Sequence, residues 1–220
     1  MRQEKAKAII ITTLIFGGLV WWLLGLPGLN SFKSKITKST SYKTSNKNTN
    51  SDSKKVTKGT IIDSYKGVKV YYNGNVSHVN DRNKTKDGYN LGLKYQCVEF
   101  AKRFFYERYN HKMPDSYGHA KDFYNTKYKH GSINTERNMY QHKNKGSEKP
   151  KVNDLIVIGP TKSNTFGHLV IVTKIYKNEI SFIQQNPGPK NPSRGKFRID
   201  YNNGIWSIES NAILGWLRLK

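Results

Sequence analysis

Cysteine is nearly absent from this chain: Cys97 is the single instance in 220 residues. One thiol forms no internal disulfide, so the fold must hold together without one and the thiol is free. Acidic side chains are scarce too, 15 Asp and Glu against 38 Lys and Arg, for a formal net charge of +23. A field of that sign attracts polyanions of any kind, namely nucleic acid, anionic lipid head groups or wall polymers, without choosing among them. Only 35% of residues are hydrophobic and mean hydropathy is −0.74, so any membrane-inserted part must be local. No cluster of His, Cys, Asp and Glu has ligand spacing, so neither a metal nor another cofactor is implied. No internal repeat is visible.

The one long apolar run is Ala8 to Leu26, 19 uncharged residues, close to the ~20 that span a bilayer as a helix. Arg2, Lys5 and Lys7 precede it, and Trp21 with Trp22 suit the outer interface. Leu26-Pro27-Gly28-Leu29-Asn30 offers no small-x-small cleavage site, and no cysteine follows to carry a lipid anchor. Residues 1–29 therefore read as a single-pass transmembrane anchor with the bulk of the chain outside; a cleaved signal would release the same part as a secreted protein. Export leaves nucleic acid the least available polyanion. Residues 30–58, almost entirely Ser, Thr, Asn and Lys, read as a flexible linker that like charges extend. Charge divides as +2, +7 and +14 over residues 1–29, 30–58 and 59–220.

From Gly59 the composition changes to that of a folded domain. Val68 to Tyr72 reads as a strand, and Cys97 to about Tyr109 as a buried helix with Cys97, Phe100, Ala101, Phe104, Phe105 and Arg108 near one stripe. Glu99, Lys102, Arg103 and Glu107 fall largely outside that stripe. A second, small helix is expected within Gly118 to Tyr128, and a loop over residues 141–151. Strands then follow at Leu155 to Ile158, His168 to Tyr176, Glu179 to Asn186, Phe197 to Tyr201, Ile205 to Ile208 and Ile213 to Leu219. Helices first and an antiparallel sheet afterwards give an α+β domain.

Cys97 falls in the first turn of its helix, where unpaired N–H groups and the helix dipole favour a thiolate. The plainer reading is a small apolar residue in a core. A nucleophilic Cys needs a base, a group to hold that base, and donors for the oxyanion. His78, His111, His119, His130 and His142 lie in polar, loop-like surroundings and read as solvated. His168 differs, standing after Gly167 at the mouth of an apolar strand. The third group belongs on the next strand. A turn centred near Tyr176 sets Gln184 opposite His168, whereas a two-residue turn at Lys177-Asn178 brings Pro187 there and leaves Gln185 on the same face, unless a bulge intervenes.

The segments Tyr95 to Arg103, Val152 to Val157, Gly167 to Val172, Gln184-Gln185-Asn186 and Leu214 to Arg218, in this order, resemble a CHAP domain, the cysteine- and histidine-dependent amidohydrolase/peptidase family. The resemblance implies a papain-like α+β fold and amide cleavage, most often in bacterial peptidoglycan, with Cys97 as nucleophile and His168 as base. Gln184 stands where the family commonly has Glu, and Asn186 matches its Asn, so Gln184 and Asn186 complete the expected catalytic set. A Gln carbonyl can orient the ring but adds no charge. Expected partners are peptidoglycan and anionic wall polymers, with the protein a monomer. The stretch from Gln96 to Arg103 also resembles the glutathionylspermidine-type amidases, and Gln184 leaves room for a catalytically weak wall-binding module.

Overall fold

The computed structural model describes residues 56–220. The predicted anchor at residues 8–26 and most of the linker lie outside them. Among the described residues no helix is long and apolar enough to cross a membrane.

Two hairpins lead the domain: β1 (Ile61–Tyr65) with β2 (Val68–Tyr71), then β3 (Arg82–Lys84) with β4 (Asn90–Leu93). The helix α1 (Cys97–Tyr109) follows. The remaining strands are β5 (Ile133–Asn134), β6 (Met139–Lys143), β7 (Leu155–Ile158), β8 (His168–Tyr176), β9 (Glu179–Ile183), β10 (Arg194–Asn202), β11 (Ile205–Ile208) and β12 (Ile213–Arg218). They form one sheet of eight strands in the order β11-β10-β9-β8-β7-β12-β6-β5, antiparallel throughout. The domain is thus mostly sheet with one α-helix, in line with the expected α+β class.

Both faces of the sheet are buried, which is why β7 and the first half of β8 read as continuous apolar runs rather than alternating ones. Leu155, Val157, Leu169, Ile171, Ile183 and Leu217 pack with Phe100, Ala101, Phe104 and Phe105 of α1. Ile156, Val170, Val172, Phe182 and Trp216 build a second cluster on the other side. Phe100, Phe104 and Phe105 are essentially inaccessible, each contributing roughly 2–3 kcal/mol of burial. The helix ends where Asn110 adopts φ 50°, with Asn110 N–H bonding Tyr106 O at 2.9 Å and His111 N–H bonding Phe105 O at 3.1 Å. An αL residue at that position satisfies the last carbonyls.

Three expectations need correction. The second helix is only a short 3₁₀ turn, Ala120–Phe123. Arg137 Nη2 takes the Asp122 carbonyl at 3.2 Å, Asn134 Nδ2 takes that of Phe123 at 3.2 Å, and Gln141 Nε2 takes those of Asn125 and Tyr128 at 2.9 and 3.3 Å. Those carbonyls are the acceptors a longer helix would have used. Residues 141–143 are strand rather than loop, paired to β12 with His142 opposite Trp216. Finally, Glu99, Lys102 and Arg103 are buried rather than on the outside of the helix, and Arg108 is exposed past the buried turns.

Candidate active site

Gln96 caps α1 in extended conformation (φ −85°, ψ 160°) without a side-chain bond, so Cys97 is the first helical residue. The first helix-type bond is Phe100 N–H to Gln96 O, at 3.1 Å. The N–H groups of Cys97, Val98 and Glu99 therefore have no acceptor within the helix. Cys97 is 9% exposed. His168 opens β8 directly after Gly167, whose φ of +76° and surroundings admit no side chain: a Cβ there would stand 2.5 Å from the Ile158 oxygen. That tight entry fixes where the imidazole starts.

The Cys97 thiol and the His168 ring are neighbours that shift each other's protonation. Burial pushes the thiol up, but the charge of His168, its hydrogen bond and the N–H groups of Leu169 and Val98 outweigh burial and hold it below the ordinary thiol range. Burial likewise pushes His168 down, and the Cys97 thiolate together with the bonds to Cys97 and Gln184 raise it above the ordinary imidazole range. Opposite shifts of two touching groups favour a thiolate–imidazolium pair.

Gln184, Gln185 and Asn186 have three different jobs. Gln184 Oε1 lies 3.0 Å from His168 Nε2, and its Nε2 donates to Pro192 O at 3.0 Å. The second bond turns the carbonyl toward the ring, so His168 donates from Nε2 and faces Cys97 with Nδ1. The route to this contact is the bulge weighed above: β8 and β9 turn at Lys177-Asn178 with Tyr176 opposite Glu179, and the register slips between Val172 and Lys174 so that Ile171 faces Ile183. Asn186 makes no hydrogen bond to His168. Its Nδ2 donates to Gln96 Oε1 at 2.7 Å and Val76 O at 3.1 Å, holding the residue before Cys97.

Gln185 is fully buried and belongs to a network that sequence reading missed. Its Nε2 donates to Glu99 Oε2 at 2.8 Å and Gln96 O at 3.0 Å, while its Oε1 accepts Tyr71 N–H at 2.8 Å. Glu99 also takes Arg103 Nε at 2.6 Å and Asn83 Nδ2 at 2.8 Å, and Arg103 Nη2 reaches Lys69 O at 2.8 Å. The Glu99 and Arg103 spacing of four along a helix was the available signal. The network clamps the start of α1 to the segment carrying Gln184. Of the histidines read as solvated, His142 is buried at 5% exposure, and His111 is half-buried with Nε2 2.9 Å from Arg137 O. Among the described residues no three His, Cys, Asp or Glu side chains are placed to hold a metal ion.

Residues 85–186 match the family model described as CHAP domain, a span that contains Cys97, His168, Gln184 and Asn186. The chain carries a CHAP domain. Curated relatives include the trypanothione synthetase of Crithidia fasciculata, 25% identical over 160 residues, covering 68% of this chain and 24% of that protein. The bifunctional glutathionylspermidine synthetase/amidase of Escherichia coli K12 is 27% identical over 139 residues, covering 58% of this chain and 22% of that protein. The chain thus spans about a quarter of the length of the curated relatives it matches. The crystal structure of Ly7917 with the hydrolyzing product of MDP superposes at a TM-score of 0.34 and 14% identity, over 57% of this chain and 54% of that one. So loose a superposition leaves the fold to rest on the strands and helix themselves. The CHAP domain here departs from the family pattern at Gln184, an amide where a carboxylate is usual.

Proposed function

We propose that this CHAP domain is a cysteine amidase or endopeptidase that hydrolyses amide bonds in bacterial peptidoglycan from the outer face of the cell membrane, anchored through residues 8–26. The observation that carries the chemistry is the His168 ring held between Cys97 and the fixed carbonyl of Gln184. Cys97 attacks the amide carbon as thiolate, and the Cys97 N–H at the helix start meets the oxyanion. His168, already protonated, gives its Nδ1 proton to the leaving amine and then takes one from the water that hydrolyses the thioester. Gln184 serves as a neutral orienter: it fixes the ring and its tautomer without adding charge, which suffices because the thiolate itself stabilises the imidazolium. Asn186 acts through Gln96 rather than on the imidazole. Digestion of purified peptidoglycan by the full chain, beside Cys97→Ala, with mass spectrometry of the fragments, is the test: Cys97-dependent amine termini support the proposal, and unchanged wall material across pH and salt ends it.

A second reading, amidase action on a peptide–polyamine conjugate, draws on the name of the Escherichia coli relative. Charge favours the first: a chain of net +23 repels a polycation and attracts an anionic wall. Incubation with glutathionylspermidine, followed by assay for free spermidine, separates the two.

A further inference from the structure

A recess of about 650 Å³ opens between β1 and strands β8, β9 and β10. Its floor follows from strand register. Lys174 stands opposite Ser181, and Ser181 opposite Lys196, so the three side chains form one cross-strand row on one face. Strand spacing sets the two lysine backbones about 10 Å apart with the Ser181 hydroxyl midway. The bulge between Val172 and Lys174 brings Thr173 to the recess beside them. On the opposite face of the same strands Phe182 lies across Gly195 so closely that a Cβ at that glycine would sit 2.4 Å from the ring.

The wall is Tyr65, and it is fixed from several sides. Its ring stacks on Phe104 at 5.6 Å and 17°, and its hydroxyl donates to Asn153 Oδ1 at 3.0 Å. Its strand is tied to β10 by Asp63, which takes Arg194 Nε and Nη2 at 2.9 and 3.0 Å and the Ser193 hydroxyl at 2.6 Å. Arg194 is therefore occupied, and the two lysines carry the usable charge. Lys174 has no carboxylate partner among the described residues. Lys196 pairs with Glu179 at 2.9 Å, but both side chains are exposed and such a pair is easily exchanged.

We infer that this recess binds a phosphodiester-linked polyol chain, with one phosphate bracketed by Lys174 and Lys196 and flanking hydroxyls met by Ser181 and Thr173. A nucleic acid fits less well. Stacked bases need a free aromatic face, and of the aromatics lining the recess Tyr65 is stacked on Phe104 and Phe182 is buried against Phe197 at 4.5 Å. The exposed Tyr176 beyond it already has the Lys174 ammonium over its ring at 5.5 Å. Lys174 and His168 lie on the same strand, about 20 Å apart at the rise of an extended chain. A polymer held in the recess would thus keep Cys97 at a set distance from the wall material to which it is joined.

The test is binding of fluorescent poly(glycerol phosphate) to the full chain, read as Kd at fixed salt. Lys174→Glu with Lys196→Glu should weaken binding at least 10-fold, and Ser181→Asp, which removes no cation, several-fold. The control pair Lys84→Glu with Lys86→Glu, on the β3–β4 hairpin, makes the same change of net charge and should alter Kd less than 2-fold. Near-UV circular dichroism checks that each variant is folded. Equal losses in recess and control pairs would mean diffuse attraction and overturn the inference. So would tighter binding of an oligodeoxynucleotide of equal phosphate number through the same lysines. The assay reads binding alone, so its failure leaves amide hydrolysis at Cys97 standing, and the reverse holds.

Discussion

Two histidines are built into the same sheet and burial has opposite outcomes for them. His168, at the start of β8, has Cys97 and Gln184 as partners and is raised above the usual imidazole range. His142, on β6, has no hydrogen-bond partner at either ring nitrogen among the described residues. Burial lowers it to about 4, with Arg218, His130 and Lys151 adding positive charge and Glu148 opposing them. Desolvation is the largest cause in both and has the same sign in both. What separates the raised ring from the lowered one is the pair of groups that reward its proton.

The contrast is broken most severely by taking those groups' partner away. His168→Ala should lower peptidoglycan hydrolysis roughly 10³- to 10⁴-fold. It should also abolish fast iodoacetamide labelling of Cys97 at pH 6, because burial would then be opposed only by the N–H groups of Leu169 and Val98. Labelling that stays fast would show that the helix start alone makes the thiolate. Next in size is the clamp behind the site. Arg103→Met leaves Glu99 buried at 1% exposure without its cation, a loss of about 3–5 kcal/mol in urea unfolding. Leaving the chain's stability unchanged would mean that Gln185 and Asn83 suffice for the carboxylate.

Gln184 tunes the comparison rather than abolishing it. Gln184→Ala should cost roughly 10- to 100-fold, as is usual for a group that orients another. In the proposed mechanism the active form needs Cys97 ionised and His168 protonated. The acid limb of the pH–rate profile therefore follows the lowered thiol, and the alkaline limb the raised imidazole. Gln184→Glu adds a negative charge beside the ring, so the alkaline limb should move up while the acid limb stays. An unmoved alkaline limb would place the titrating group elsewhere. Changing Gln185 should instead cost stability, since its bonds run to Glu99, Gln96 and Tyr71 and none to His168.

Much of this was legible in the sequence where a residue's neighbours in the chain are also its physical context. The runs Leu155–Ile158 and Leu169–Val172 announce strands covered on both sides, and the stripe from Cys97 to Phe105 announces a helix on a core. The site's residue types were legible in the same way. Its division of labour was not, because it hangs on a one-residue slip between Val172 and Lys174 and on the carbonyl of Pro192. Buried charge was hidden for a related reason. Lys102 is held by the carbonyls of Asn90 and Ser116, and Glu99 by Asn83 and Gln185, partners remote in sequence. Strand β6 was hidden because its inward positions include Gln141 and His142, which binary patterning assigns to solvent.

His142 supplies the check on the comparison that lies farthest from the site's chemistry. With a folded value of about 4 against the ordinary 6.5, the unfolded chain takes up a proton before the folded one does. Stability is therefore undiminished above pH 6.5, falls as pH drops from 6.5 toward 4, and levels off below. Replacing the ring by His142→Leu keeps an apolar side chain opposite Trp216 and removes the proton acceptor. Over that window the parent should lose about 3 kcal/mol more than the variant, roughly 6–12 °C in melting temperature. His142→Leu should leave the pH–rate profile of the site unchanged. Parallel melting curves for the two proteins would mean that His142 takes a proton in the folded state as easily as in the unfolded one, and the distinction between the two rings would then rest on the partners of His168 alone.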